Sequence, residues 1–365
     1  MRSDPLWKGV ITMDESRLRE SLGRLAQQAD DPHVETDAVV DRSRRRIFRN
    51  VVCFLALAGV VGTGIAFVSS TPSAEQIHQP ADPPATHVPP EFATIEGRVA
   101  FLSDRGSGSG LHIVIASGTT YETVTEDPSS SSKLSWSKNG KQIVFDRGIG
   151  PGQGSLVILD VDTGDERVLV EEEPSGAPGL VPHSPAWSPD GSQIAFSSGT
   201  GDIFVIDVAD GSLRKIVSAA RGCRGSYPAW SPDGTSIAFT RSGSCEGGIF
   251  VMALGRRGGD GTLLTSGRHF DPAWSPDGSM IAFSSGGGGG GQIAVVQVST
   301  RYETVLTEET DNYSPSWSPD GEQIVFGSNR TGHQNIWVMN ADGSGELPVT
   351  IGRGLDIAPA WAPDR

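Results

Sequence analysis

The chain of 365 residues carries a net charge of −15, with 36% hydrophobic residues, 47 glycines and 24 prolines. Residues 1–50 hold 10 Lys/Arg and 9 Asp/Glu, which leaves 19 against 35, or −16, for the remainder. So acidic a surface excludes general nucleic-acid binding, which needs a basic stripe.

In chain order, residues 14–29 read as a short helix with Leu18, Leu22, Leu25 and Ala26 on one face and Asp14 or Ser16 at its start. One thin apolar stripe makes a helix of this length marginal by itself, so the segment reads as a solvated element, with partner binding as the alternative. Met13 is a second candidate initiator, and His33 stands alone with no Cys before Cys53, so no zinc cluster forms here. Five arginines (Arg42, Arg44, Arg45, Arg46 and Arg49) precede an uncharged run over 51–70, and no Lys or Arg follows until Arg98. The run is long enough to cross a bilayer as a helix. The charge asymmetry predicts a signal anchor with the N-terminus cytoplasmic and the remainder outside. A cleaved signal peptide is the alternative, although the polar region ahead is long for one. Cys53 is then a small apolar residue of the span. Residues 71–93, rich in Pro and Ala, predict a semi-extended stalk in which His78 and His87 are solvated.

The remainder, 94–365, is organised by one recurring stretch, Pro185-Ala186-Trp187-Ser188-Pro189-Asp190-Gly191-Ser192-Gln193-Ile194-Ala195-Phe196. It returns around Trp230, Trp274 and Trp317, in a worn form at Trp136 and truncated at Trp361, at steps of 51, 43, 44, 43 and 44 residues. Ser-Pro-Asp-Gly is a tight turn: Pro pre-sets a dihedral, Asp bonds the nearby backbone and Gly takes the left-handed conformation. A strand enters through Pro-x-Trp and returns as Ile-Ala-Phe. Third strands such as Ile203–Ile206 and Ile336–Met339 follow, and fourth strands such as Thr304–Thr307 complete a four-stranded unit of β-propeller-blade size. Counting Trp motifs predicts six blades. The last motif stops before its returning strand, and Gly97–Ser103 with His112–Ile115 resemble the missing strands, so the N-terminal segment is expected to complete that blade.

The repeated Pro-x-Trp-Ser-Pro-Asp-Gly-x-x-Ile-Ala-Phe resembles the repeats of TolB-type six-bladed β-propellers. The resemblance implies an all-β propeller over roughly 94–365 and a channel mouth that receives a partner's peptide segment. Fold alone does not fix function.

The turn residues Asp190, Asp233, Asp277, Asp320 and Asp364 repeat at one position, so each is expected to cap its own turn rather than share an ion. Asp160–Asp165 lacks the helices and distal Glu of a calcium loop and reads as a hairpin. The glycines of 286–291 join two strands, so they read as a loop and not a phosphate cradle. Cys223 and Cys245 belong to one blade, in loops on the same face, and are expected to form a disulfide in an oxidising exterior. Gly243-Ser244-Cys245-Glu246-Gly247 matches a nucleophile elbow with Cys for Ser, but that motif needs a strand-to-helix turn.

The residues three to five before each Trp vary between repeats, so the fold does not dictate them. They include His183, Ser184, Ser226, Tyr227, His269, Asp271, Asn312, Tyr313 and Asp356. Of these, His183, Tyr227, His269, Asp271, Asn312, Tyr313 and Asp356 form the expected ligand-binding set at the channel mouth, suited to a peptide or polar ligand. No catalytic set, cofactor motif or metal site is predicted. The function expected is therefore a membrane-anchored extracytoplasmic propeller that binds a protein, peptide or cell-envelope partner. One alternative is a metal-dependent, lactonase-like hydrolase started by Asp271, Asn312 and Asp356. The other is a transmembrane sensor relaying to the 14–29 helix.

Overall fold

The repeat folds as the alternation of its residues dictates. In the computed structural model each Trp strand pairs antiparallel with its Ile-Ala-Phe return, Trp187 opposite Ile194 and Trp230 opposite Ile237. The returning strand then pairs with the third, Phe196 opposite Phe204. The structure describes residues 93, 95–104 and 112–364, apart from 119, 126–130, 132, 151–152, 172–179, 220–221, 256–260, 287–290 and 309–310. The expected helix at 14–29, the span at 51–70 and the stalk lie outside the described residues. No helix among the described residues is long and apolar enough to cross a membrane.

Among the described residues, twenty-four strands form six four-stranded antiparallel sheets. We number the blades by their inner strands: Leu134–Trp136, Pro182–Trp187, Cys223–Trp230, His269–Trp274, Asn312–Trp317 and Asp356–Trp361. The first five blades are continuous in sequence. The sixth runs outward from Asp356–Trp361 through Ile95–Ser103 and His112–Gly118 to Thr120–Thr123. The inner strands neighbour one another in an unbroken cycle around a central channel.

The apolar cores lie between blades, because period-two strands show one set of side chains to each neighbour. Trp187, Ile194 and Phe196 of the second blade pack on Val144, Leu156 and Ile158 of the first. The same arrangement recurs at Phe239, Phe283 and Phe326, all fully buried. Phe101 and Trp361 pack on Val325 and Ile336, and Phe145 packs on Leu102 and Ile113.

The junctions between inner strands come in two kinds. Where the residue before a Trp is Ala, the next blade's indole N–H donates to that Ala carbonyl: Trp230 to Ala186 (3.1 Å), Trp274 to Ala229 (3.2 Å), Trp317 to Ala273 (3.1 Å) and Trp136 to Ala360 (3.0 Å). Where it is Ser, the hydroxyl instead accepts the next Trp's backbone N–H: Ser135 from Trp187 (3.0 Å) and Ser316 from Trp361 (3.0 Å). The indole then misses the carbonyl. Trp361 turns to Glu96 O (3.1 Å), and the buried Trp187 Nε1 has no hydrogen-bond partner.

The turns form a ring at one end of the channel. Asp190 accepts from the Ser188 hydroxyl (2.6 Å) and the Ser192 N–H (3.0 Å), while Gly191 sits at φ 81°. The worn copy keeps this geometry with an amide, Asn139 Oδ1 accepting from Ser137 Oγ (2.8 Å) and Lys141 N (3.0 Å). A Cβ on Gly234 would touch Pro189 at 3.3 Å, and one on Gly278 would touch Pro232 at 3.2 Å, so successive turns stack edge to edge.

The fourth strand of the fourth blade is Glu303–Val305, shorter than the expected Thr304–Thr307. The reason is local: the Thr307 hydroxyl accepts the Ile293 N–H at 3.0 Å, which substitutes a side chain for the next ladder bond. Thr350 does the same for Ile336 N at 2.9 Å. Cys223 and Cys245 are joined by a disulfide with Cα atoms 5.4 Å apart.

Candidate functional site

Five inner strands carry the same backbone irregularity. Ser184, Tyr227, Asp271, Ser314 and Ala358, each three residues before a Trp and followed by Pro, have φ of 51°, 53°, 53°, 52° and 53°. Left-handed backbone costs a non-glycine residue on the order of 1 kcal/mol or more, and the ring repeats that cost five times. The pairing register shifts at each such point, for example between Ser226 and Ala229 and between Phe270 and Ala273. Neighbouring blades hold these bulges: Asp146 Oδ1 accepts the Ser184 N–H at 3.3 Å, and Ser284 Oγ accepts the Ser314 N–H at 3.1 Å. The first blade has Lys133-Leu134 at these positions, with no Pro and no positive φ, and its inner strand, Leu134–Trp136, begins after Lys133.

Of the bulge residues, Tyr227 and Asp271 line one cavity and Ser314 bonds to Asp271. Lys133 of the first blade and Asp271 of the fourth, on opposite sides of the ring, act on each other electrostatically. Burial pulls the Lys133 ammonium below the usual lysine range, opposed by the Asp271 charge. Burial likewise pushes the Asp271 carboxyl up, opposed by Lys133 and by the Ser314 hydroxyl, which donates to its Oδ2 at 3.0 Å. Asp271 in turn pushes the Tyr227 hydroxyl up to about 12, with help from burial and Asp146. Burial, then Asp356 and Asp311, push the Tyr313 hydroxyl up as well.

Two cavities open along the channel. At the turn end a space of about 450 Å³ is lined by the six repeat tryptophans and the turn prolines, with Lys133 and Lys138. At the bulge end a space of about 250 Å³ is walled by Tyr227, Phe270, Asp271, Asp311 and Tyr313, with Asn329 and Gln334 beside it. Gly286 and Gly291 put no side chains into it.

The expected mouth residues separate into two groups. Tyr227, Asp271 and Tyr313 meet at the bulge-end cavity, and exposed His183 stands at its own blade's mouth with Nδ1 3.7 Å from Asp146. His269, Asn312 and Asp356 sit behind it. His269 is buried against Phe283, ring centroids 4.6 Å apart, and that burial holds its imidazole below the ordinary value. Asn312 reaches the cavity wall, but its amide donates to Thr307 Oγ1 (3.0 Å) and accepts from Arg330 (3.2 Å). Asp356 is wholly buried and accepts from Ser103 at 2.7 Å. Of the three residues of a lactonase-like ion site, Asp271 and Asn312 line the one cavity, while Asp356 is buried and absent from its wall. Among the described residues no group of three or more His, Cys, Asp or Glu is placed to hold a metal.

Residue-type reading missed Lys133, Asp146, Ser314 and Gly327. Lys133 was findable by applying the three-before-Trp offset to the worn copy. Gly327 has no such signal. A Cβ there would collide with the Tyr313 ring, so its absence makes room for that side chain.

The TolB beta propeller domain model matches residues 181–307 and 270–365, together half of the chain. The chain belongs to the TolB β-propeller family. A crystal structure of TolB from Acinetobacter baumannii is 23% identical, with a TM-score of 0.62, covering 74% of this chain and 68% of that one. A chain of a crystal structure of a nidogen/laminin complex is 13% identical, with a TM-score of 0.57, covering 73% of this chain and 98% of that one. At these identities the likeness is one of fold. No curated protein matches the sequence. Membership of the TolB family fixes the fold of this propeller but not its function.

Proposed function

We propose that this TolB-family propeller is a non-catalytic binding protein that takes up a protein or peptide segment at the bulge end of its channel. The observation that carries the reading is the ring of strained residues. Five non-glycine residues are held left-handed before Pro at one ring position. Strain retained where side chains converge on an open cavity is the signature of a preorganised site. Aromatic and carboxylate groups there supply both flat contact area and directional polar contacts.

The arginines before the uncharged run at 51–70 support an anchored protein, with the propeller outside the cell membrane and a cell-envelope partner within reach. The test is affinity capture from envelope extract with the full-length protein as bait. A parallel bait carries Tyr227→Ala and Asp271→Ala, with its fold checked by thermal melting. A partner held by the native bait and lost by the variant supports the reading; equal capture by both overturns it. Hydrolysis of lactones by the metal-supplemented protein, abolished by Asp271→Ala, would replace it with the enzymatic one.

A further inference from the structure

We propose that the cavity between the fourth and fifth blades at the bulge end is a subsite for an organic cation, a primary ammonium or guanidinium group carried on an apolar stem. This rests on the reading of that end as a binding site and names the chemistry it selects.

The walls and the charge argue together. Tyr227 and Phe270 meet edge to face, with ring centroids 6.5 Å apart, and Tyr313 faces the same space. Aromatic faces attract cations through the ring quadrupole. Among the described residues, the charged side chains lining the cavity are both carboxylates, Asp271 and Asp311. Asp356 lies close enough behind to act on Tyr313.

Opposing charge is nearby but directed elsewhere. Lys133 acts on Asp271 from across the axis and lines the cavity at the turn end, not this one. Arg330 reaches the cavity wall, where it donates to Asn312 Oδ1 at 3.2 Å, but it is also bound to Glu346 and stacked 4.5 Å over Trp337, so its charge is matched there. The Tyr313 hydroxyl is buried and has no hydrogen-bond partner, so it is the ring, not the oxygen, that this residue offers to the cavity. The Asp271 charge is the main cause that pushes the Tyr227 hydroxyl up, whereas burial comes first for Tyr313, with Asp356 and Asp311 adding to it. At about 250 Å³ the space is smaller than most drug-sized pockets and suits a single side-chain-sized group.

Calorimetric titration of the full-length protein tests this with four probes of equal length: n-butylammonium, n-butylguanidinium, n-butanol and butyrate. Saturable binding of the two cations, with none of the alcohol or the anion, is expected. Asp311→Asn should weaken the cations roughly tenfold. It keeps a residue type that tolerates the left-handed φ of 71° at this position. Lys133→Met should tighten cation binding, which loss of a merely structural contact would not do. Butanol binding as well as butylammonium, or indifference to both substitutions, overturns the proposal. The probes need no protein partner, so failed capture with intact cation binding refutes the peptide reading alone, and the reverse result refutes the subsite alone.

Discussion

Substituting Trp187 and Trp317 separately by Phe isolates the value of one indole hydrogen bond. Both side chains are nearly buried, 7% and 8% exposed, and each packs on the preceding blade through an equivalent cluster. Both substitutions remove the same atoms, so the loss of packing is common to the pair. They differ at the N–H. Trp317 donates to Ala273 O at 3.1 Å, whereas Trp187 Nε1 is buried without a partner. Trp317→Phe forfeits a net contribution of about 1 kcal/mol and leaves an acceptor short of its donor. Trp187→Phe removes a donor whose burial already costs about 1–3 kcal/mol. Trp187→Phe should therefore be the milder change by about 2 kcal/mol, which corresponds to a melting temperature roughly 4–8 °C higher than that of Trp317→Phe. Urea titration with unchanged m-values, followed by circular dichroism, gives the comparison. Equal destabilisation, or a larger loss at Trp187, would show that the Ala and Ser junctions do not differ energetically as the hydrogen bonding requires.

Three further outcomes are expected. Hydrogen bonds from Ser188, Ser231, Ser275 and Ser318 hold the carboxyls of Asp190, Asp233, Asp277 and Asp320 below the usual range. Their folded values are depressed, so the stability they contribute is present above about pH 3.9 and is lost as pH falls through the folded values. Replacing all four by Asn, the residue of the worn turn, should flatten the acid limb of a melting-temperature profile, and an unchanged limb would contradict the assignment. Gly327→Ala should displace the Tyr313 ring, with cation-probe binding reduced several-fold while the melting temperature moves less than for a core Phe→Ala, which removes about 3–5 kcal/mol. Opening the Cys223–Cys245 bridge, with its sequence separation of 22, should cost about 3 kcal/mol in the chain-entropy account, read as a lower urea midpoint for a Cys→Ala pair.

The blade and its turn were legible because they depend on residue types repeated in register. Trp, Pro, Gly and Phe recur where a bulky wedge, a fixed φ, a left-handed turn and a core plug are needed, and the structure uses them there. The site was legible only in part. An offset from Trp located the mouth but not which side chains enter it, because the left-handed bulge inserts a residue and changes the face that each earlier position shows. Ser184, Tyr227, Asp271, Ser314 and Ala358 share no chemistry, only the proline that follows. Tyr227 and Asp271 therefore face the cavity, while His269 and Asp356, two positions earlier in their repeats, turn into the blades, and Asn312 reaches the wall with its amide bound to Thr307 and Arg330. Lys133 escaped for the complementary reason: its repeat lacks the proline that marks the position.

The placement of the cores between blades bears on how the molecule comes apart. A blade owns no core; each of its faces completes a neighbour's, so removing one blade exposes two apolar surfaces. Linear repeat arrays can fray from a capped end, unit by unit. Around this cycle there is no terminal unit from which fraying can begin. Intermediates with one blade undone would carry twice the exposed apolar surface of a frayed array. The propeller should therefore lose its structure in a single cooperative transition, with amide protons of all six Phe positions exchanging at one common rate under conditions where global opening dominates.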